Sequence, residues 1–183
     1  MNIRKIRRLP IFVAAILVVI FAKPYLVGTI IGLTLIALGE AVRIWAAGHI
    51  QKNEILTVTG PYAYVKNPLY VGTILCTTGY CIYADNIWVL AFTVFMYCFH
   101  YIPYKMRVES GRLRERFGSQ FDDYDAKVPD YIPRLTPYSQ EKGAWSFKSF
   151  IENSEEGILI LNVILATLVG TRPWWGELWN KVF

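Results

Sequence analysis

Apolar positions in this chain fall in long uncharged blocks, not in the one-sided stripes of soluble helices. Leu9 to Ala22 carries no charge, nor does Tyr25 to Gly39, and that block runs on to Ile50 with Glu40, Arg43 and His49 as its interruptions. Leu69 to Ala84 is uncharged, Ile87 to Tyr104 holds only a neutral His100, and Gly157 to Thr171 closes the series. A membrane-crossing helix needs roughly 17–25 apolar residues. The pattern therefore predicts an all-α, multi-pass transmembrane helical protein with about five spans. The first and last are short and depend on their flanks.

Turn signals separate the blocks: Lys23-Pro24-Tyr25 after the first, Asp85-Asn86 between the third and fourth. Length and composition add one domain, 1–183, in a chain that is 54% hydrophobic. The net charge of +5 does not read as a nucleic-acid surface, because the basic residues crowd beside the spans. Arg4, Lys5, Arg7 and Arg8 precede the first, and Lys105 to Arg116 follows the fourth. Positive flanks mark the cytoplasmic side, so residue 1, residues 48–67 and residues 104–156 are expected there. The basic start resembles a signal peptide without an obvious small-residue cleavage site, so it is expected to be retained. Trp174, Trp175 and Trp179 suit the far interface. Glu152, Glu155 and Glu156 before the fifth block fit this arrangement poorly.

Two cytoplasmic segments are more specific than connectors need to be. The first contains "GPYAYVKNPLYVG", from Gly60 to Gly72. Helix-start physics explains part of it: Asn67 suits an N-cap and Pro68 the first helical position. The second is "KMRVESGRLRERFGSQFDDYDAKVPDYIP", residues 105–133. Lys105, Glu109, Arg112 and Arg116 share one helical face, and Met106, Ser110, Leu113 and Phe117 the next. Gly118 reads as the helix end. Gly111 inside it costs helix stability and so points to a close contact.

Together these strings resemble the isoprenylcysteine carboxyl methyltransferase and phospholipid methyltransferase superfamily, small integral-membrane enzymes that use S-adenosylmethionine. The resemblance covers residues 43–133, with both motifs in order around a helical hairpin. It implies that Asn67, Pro68 and Tyr70 lie near the cofactor, with Tyr62 as the first motif tyrosine. Glu109 becomes the cofactor-contacting glutamate. Lys105, with Arg107 beside it, becomes the basic group on the acceptor side. Ile55 to Thr59, including Leu56 and Thr57, becomes a strand-like approach that wraps the cofactor. This chain departs from the family pattern at Asn67, where histidine is commoner, and at Ser110, where a second glutamate is usual. The acceptor so implied is a lipid or lipidated molecule taken from the bilayer, with a prenylcysteine-type carboxylate favoured and a phospholipid amine as the alternative.

The chemistry of these side chains agrees. The cofactor carries a sulfonium, an ammonium and a carboxylate. Glu109 can offset the cations, the unpaired N–H groups at the start of the third span suit the carboxylate, and Tyr62, Tyr64 and Tyr70 offer ring faces. The plain alternative for Glu109 is a helix pair with Lys105. Arg43 with Glu40 reads equally as a functional intramembrane pair or as a snorkelling one. Cys76, Cys81 and Cys98 read as packing residues, and His49 and His100 lack metal-site spacing. Phe121, Tyr124 and Tyr131 are expected to pack a cytoplasmic lid. Trp145, Phe147 and Phe150 with Lys142 and Lys148 read as an interfacial segment. Two rivals from other classes are a sterol-reductase-like oxidoreductase, which the second segment also resembles, and a non-catalytic lipid-binding protein.

Overall fold

The computed structural model describes residues 9–51, 55–96, 102–141, 143–174 and 177, with the side chains of 9–14, 89, 96 and 102–107 excepted. The described residues are all-α. Eight helices follow in order: α1 (Leu9–Phe21), α2 (Leu26–His49), α3 (Pro68–Tyr83), α4 (Ile87–Met96), α5 (Ile102–Phe117), α6 (Ser119–Lys127), α7 (Phe147–Glu152) and α8 (Glu155–Gly170). A 3₁₀ turn, Gly60–Ala63, precedes α3.

The centre is an antiparallel pair, α2 against α3, packed through glycine. A side-chain carbon built at Gly32 would lie 2.7 Å from the Gly79 carbonyl, and one at Gly39 2.6 Å from the Gly72 carbonyl. With no side chain at these positions the two backbones touch, as in small-residue seams of membrane helices. Toward one end Val18, Ala22, Tyr80, Tyr83, Ala84 and Val169 form an apolar cluster. There Lys23 N donates to the Ala84 carbonyl at 2.8 Å, and Arg172 Nε to the Ile20 carbonyl at 3.1 Å.

Helix α8 runs beside this pair from one end to the other. Glu155 meets Arg43 of α2, the Asn162 carbonyl accepts from Tyr80 Oη at 2.7 Å, and Val169 joins the far cluster. The opposite faces of the helices are apolar and exposed: Leu26 at 75%, Trp88 at 81% and Val163 at 60%. Outward apolar faces over a small-residue and polar seam invert the plan of a soluble bundle.

Among the described residues one helix, α2, is long and apolar enough by itself to cross a membrane. Its 24 residues make about 36 Å at 1.5 Å per residue, against a hydrocarbon core of about 30 Å. The other helices of the expected spans have 13, 16, 10 and 16 described residues. The five-span expectation is therefore matched by one helix of full length.

Two local expectations change. Gly111 makes no close contact, since a side-chain carbon there would meet nothing within 4 Å. Asn67 stands at the N-cap of α3, yet its side chain does not cap the helix. Gly118 does end α5, at φ 52°, and serves as the N-cap of α6.

Candidate functional site

The site lies where the C-terminal end of α2 meets the N-terminal end of α3. Two constraints shape the chain before it. Gly60 turns at φ 58°, and any side chain on it would strike the His49 ring at 2.5 Å. Pro61 then opens the 3₁₀ turn that buries Tyr62 and Ala63.

The segment after α5 docks on this turn. Tyr124 Oη donates to the Tyr62 carbonyl at 2.8 Å, Lys66 N to the Pro129 carbonyl at 2.9 Å, Arg134 N to the Tyr64 carbonyl at 3.0 Å and Tyr138 N to the Ala63 carbonyl at 2.8 Å. Phe121, Tyr124 and Val128 are buried beneath it, with Leu56, Val58, Leu113 and Phe117 packed around them. Of the three aromatic residues expected to pack together here, Phe121 and Tyr124 are in this cluster and Tyr131 is not. Asn67 belongs to the same seam: its backbone N donates to the Asp130 carbonyl at 3.2 Å, and Nδ2 reaches that carbonyl at 3.3 Å. The open helix terminus expected at α3 is largely closed. Pro68 has no N–H, and Tyr70 and Val71 donate to the Asn67 carbonyl.

Lys66 ties the seam electrostatically. Its Nζ lies 2.6 Å from Asp125 Oδ1 and 3.1 Å from Asp130 Oδ1, with the lysine side chain 12% exposed. Burial works against its charge, but the hydrogen bonds it donates to the two aspartates, with their negative charges, outweigh this and raise its pKa. A raised lysine pKa stabilises the fold fully below the unfolded value, about 10.4, and that contribution is lost as pH rises through the folded value. Lys66→Met is therefore expected to lower the melting temperature by a constant amount from pH 7 to about 10. The gap to wild type closes above that. A gap that widened in alkali would overturn this account.

The sequence-predicted residues separate into groups. Tyr70 Oη donates to Glu109 Oε2 at 2.7 Å, joining the first motif to the second. Tyr62 is 6% exposed, and among the described residues its hydroxyl has no hydrogen-bond partner. Burial raises its pKa, with Tyr124, Glu109 and Glu155 adding to the shift and Arg43 opposing it. The hydroxyl thus stays neutral, and those four groups are its electrostatic neighbours. Pro68 is fully buried. Leu56 packs against the Phe121, Tyr124 and Val128 cluster. Leu56 lines an open cleft of about 450 Å³ with Val58, Ser119, Gln120, Asp123 and Tyr138, and Thr57 Oγ1 accepts from Gln51 N at 3.3 Å. No strand forms at 55–59, which is irregular chain with bends at Ile55 and Thr59. A second cleft, about 370 Å³, lies between Trp45, His49, Tyr64 and Glu141. Neither cleft is lined by Tyr62, Tyr70 or Glu109. The side chains of Lys105 and Arg107 lie outside the described residues, as do Cys98, His100, Lys142, Trp175 and Trp179.

Sequence reasoning missed Glu155. Arg43 is 7% exposed and does not snorkel; its Nη2 donates to Glu155 Oε2. The misplaced acidic residue before the last apolar block was the available signal. Among the described residues no group of three or more His, Cys, Asp or Glu could hold a metal ion.

A family model described as phospholipid methyltransferase matches residues 11–120, the stretch that carries α1 to α5 and the first motif. The chain belongs to that family. Among relatives, it is 28% identical over 137 residues to the cobalt-zinc-cadmium resistance protein CzcN of Cupriavidus metallidurans, covering 73% of this chain and 62% of that one. It is 31% identical to the nickel-cobalt-cadmium resistance protein NccN of Alcaligenes xylosoxydans xylosoxydans over 61% of this chain and 51% of that protein. It is 29% identical to the protein-S-isoprenylcysteine O-methyltransferase of Schizosaccharomyces pombe over 53% of this chain and 41% of that enzyme. The chain thus spans between two fifths and two thirds of these relatives' lengths. No solved structure matches it.

Proposed function

We propose that this phospholipid methyltransferase family member is an S-adenosylmethionine-dependent membrane enzyme that methylates a lipid or lipidated acceptor. The observation that carries this reading is the meeting of the two motif segments around a buried hydroxyl that has no partner among the described residues: Tyr62 inside, with Tyr70 and Glu109 joined beside it. A buried polar atom with no partner is costly, and a ligand atom at that point would relieve the cost. When bound, the cofactor supplies an electrophilic methyl group. Glu109 would offset its positive charge, Tyr62 and Tyr70 would orient it, and Asn67 and Pro68 would hold the turn that carries them. Leu56 and Thr57 would approach it through the backbone, and Lys105 and Arg107 would face an anionic acceptor group. Transfer to a carboxylate needs no general base, so the protein's task is alignment and exclusion of water.

The wider reading is one integral-membrane domain, 1–183, with five spans and the site on the cytoplasmic side. The outward apolar faces and the full-length run of α8 along the bundle support it. Single cysteines at Gln51 and Ser119 should then label from the cytoplasmic side alone; labelling from outside at either would sink it.

A phospholipid amine acceptor is the second reading, favoured by the carboxylates of Glu109 and Glu155 beside Tyr62. An amine must lose its proton and becomes cationic, which carboxylates favour. The test offers radiolabelled S-adenosylmethionine with a prenylcysteine analogue or with phosphatidylethanolamine. A base-labile methyl ester supports the first reading, and a base-stable methyl on the amine lipid alone replaces it. Calorimetry that detects NADPH binding and no S-adenosylmethionine binding would move the protein to the reductase class. Binding of neither would favour the non-catalytic one.

A further inference from the structure

A charged cluster is buried where α2, α3 and α8 meet. Glu40, Arg43 and Glu155 are 7%, 7% and 6% exposed. Each charge would be costly alone at such depth, and the cluster is accordingly connected. Besides its bond to Glu155 Oε2, Arg43 donates from Nη1 to Thr73 Oγ1 at 2.5 Å and to the Leu69 carbonyl at 3.4 Å. Thr73 Oγ1 donates in turn to the Leu69 carbonyl at 2.8 Å. Glu40 Oε1 lies 3.7 Å from Arg43 Nε and accepts from Asn162 Nδ2 at 2.6 Å. Just before α8, Asn153 Nδ2 donates to the Ala47 carbonyl at 3.0 Å and the Ile50 carbonyl at 3.3 Å, at the last turn of α2.

These bonds converge on one place. Leu69 is in the first turn of α3, and the next residue, Tyr70, holds Glu109. The supporting residues, 153–162, lie beyond the family-matched stretch 11–120. A plain membrane anchor would have no use for a carboxylate directed at a neighbouring helix.

We infer that Glu155 is a positioning residue: through Arg43 it holds the first turn of α3, and with it the Tyr70–Glu109 pair, in place for a cationic ligand. Only the identity of that ligand rests on the methyltransferase reading.

The test has a ligand-free arm and a binding arm. In the first, hydrogen exchange is followed in the full chain in lipid nanodiscs. Glu155→Gln should speed exchange of residues 67–73 by roughly tenfold, as expected when a locally stabilised unit loosens. Thr73→Val, which keeps the Arg43–Glu155 pair but removes the hydroxyl link, should loosen the same residues less. It also keeps the test valid should Glu155→Gln fail to fold. Val169→Ala, in the far cluster, should lower the melting temperature and leave 67–73 unchanged. Unchanged exchange at 67–73 in both Glu155→Gln and Thr73→Val, or equal loosening by Val169→Ala, overturns the proposal. In the second arm, Glu155→Gln and Tyr70→Phe should each raise the S-adenosylmethionine Kd roughly tenfold. The double variant should be no weaker than either, since members of one network are not additive. Additive losses overturn the positioning role. Wild-type protein that binds no S-adenosylmethionine overturns the methyltransferase reading, while exchange still decides the positioning.

Discussion

Gly39→Ala is expected to pry α2 from α3 at the end of the bundle that carries the site. A methyl group there would sit 2.6 Å from the Gly72 carbonyl and 2.9 Å from Cys76 N, both backbone atoms of α3, and 2.6 Å from Cys76 Sγ. A thiol can rotate away, but a helix backbone cannot without moving its neighbours. Overpacking of this kind costs about 1–3 kcal/mol, and Gly39→Leu should exceed that and prevent folding. The next residue, Glu40, and Arg43 one turn later would shift with α2, so ligand binding should fall along with stability. The measurement is a thermal melt in detergent beside Gly157→Ala, whose added carbon meets nothing within 4 Å. Equal melting temperatures for the two variants would show that the seam is not the tight contact described.

That seam also shows what the sequence disclosed and what it withheld. Long uncharged blocks announced helices, because in lipid a backbone must satisfy its own hydrogen bonds. Gly28, Gly32 and Gly39 were visible, yet their partners on α3 depend on which faces two helices turn to each other, and no local pattern states that. The motif segments were legible because turns and helix starts are local chemistry: Gly60, Pro61, Pro68 and Gly118 each do what their residue types favour. Asn67 does take the N-cap position, but its side chain bonds elsewhere, for the opposite reason. A distant segment offers the Asp130 carbonyl, and its competition for the side chain is a tertiary matter. Gly111 was expected to admit a neighbour, and open space surrounds it instead. The Arg43–Glu155 pair joins residues 112 positions apart. Its trace in sequence was charge within and beside otherwise uncharged apolar blocks.

Glu109→Gln carries the second large effect, and it bears on the chemistry more than on the fold. The substitution keeps shape and removes charge. The amide oxygen can still accept from Tyr70 Oη, which now lies 2.7 Å from Glu109 Oε2. Stability should therefore change little, while any cation held by the carboxylate loses its counter-charge. A hydrogen bond to a charged group contributes about 1.5–3 kcal/mol, so S-adenosylmethionine binding should weaken by roughly 10- to 150-fold. Tyr70→Phe should weaken it less, since it frees the carboxylate without neutralising it. Asn67→Ala should act differently: its side chain bonds to Asp130, so loss of the amide should loosen the docked 124–138 segment first and affinity second. Calorimetry paired with a melting curve for each variant separates these effects. A Glu109→Gln protein that binds S-adenosylmethionine as tightly as wild type would remove Glu109 from the cofactor site. Tyr70–Glu109 would then be a strut between α3 and α5.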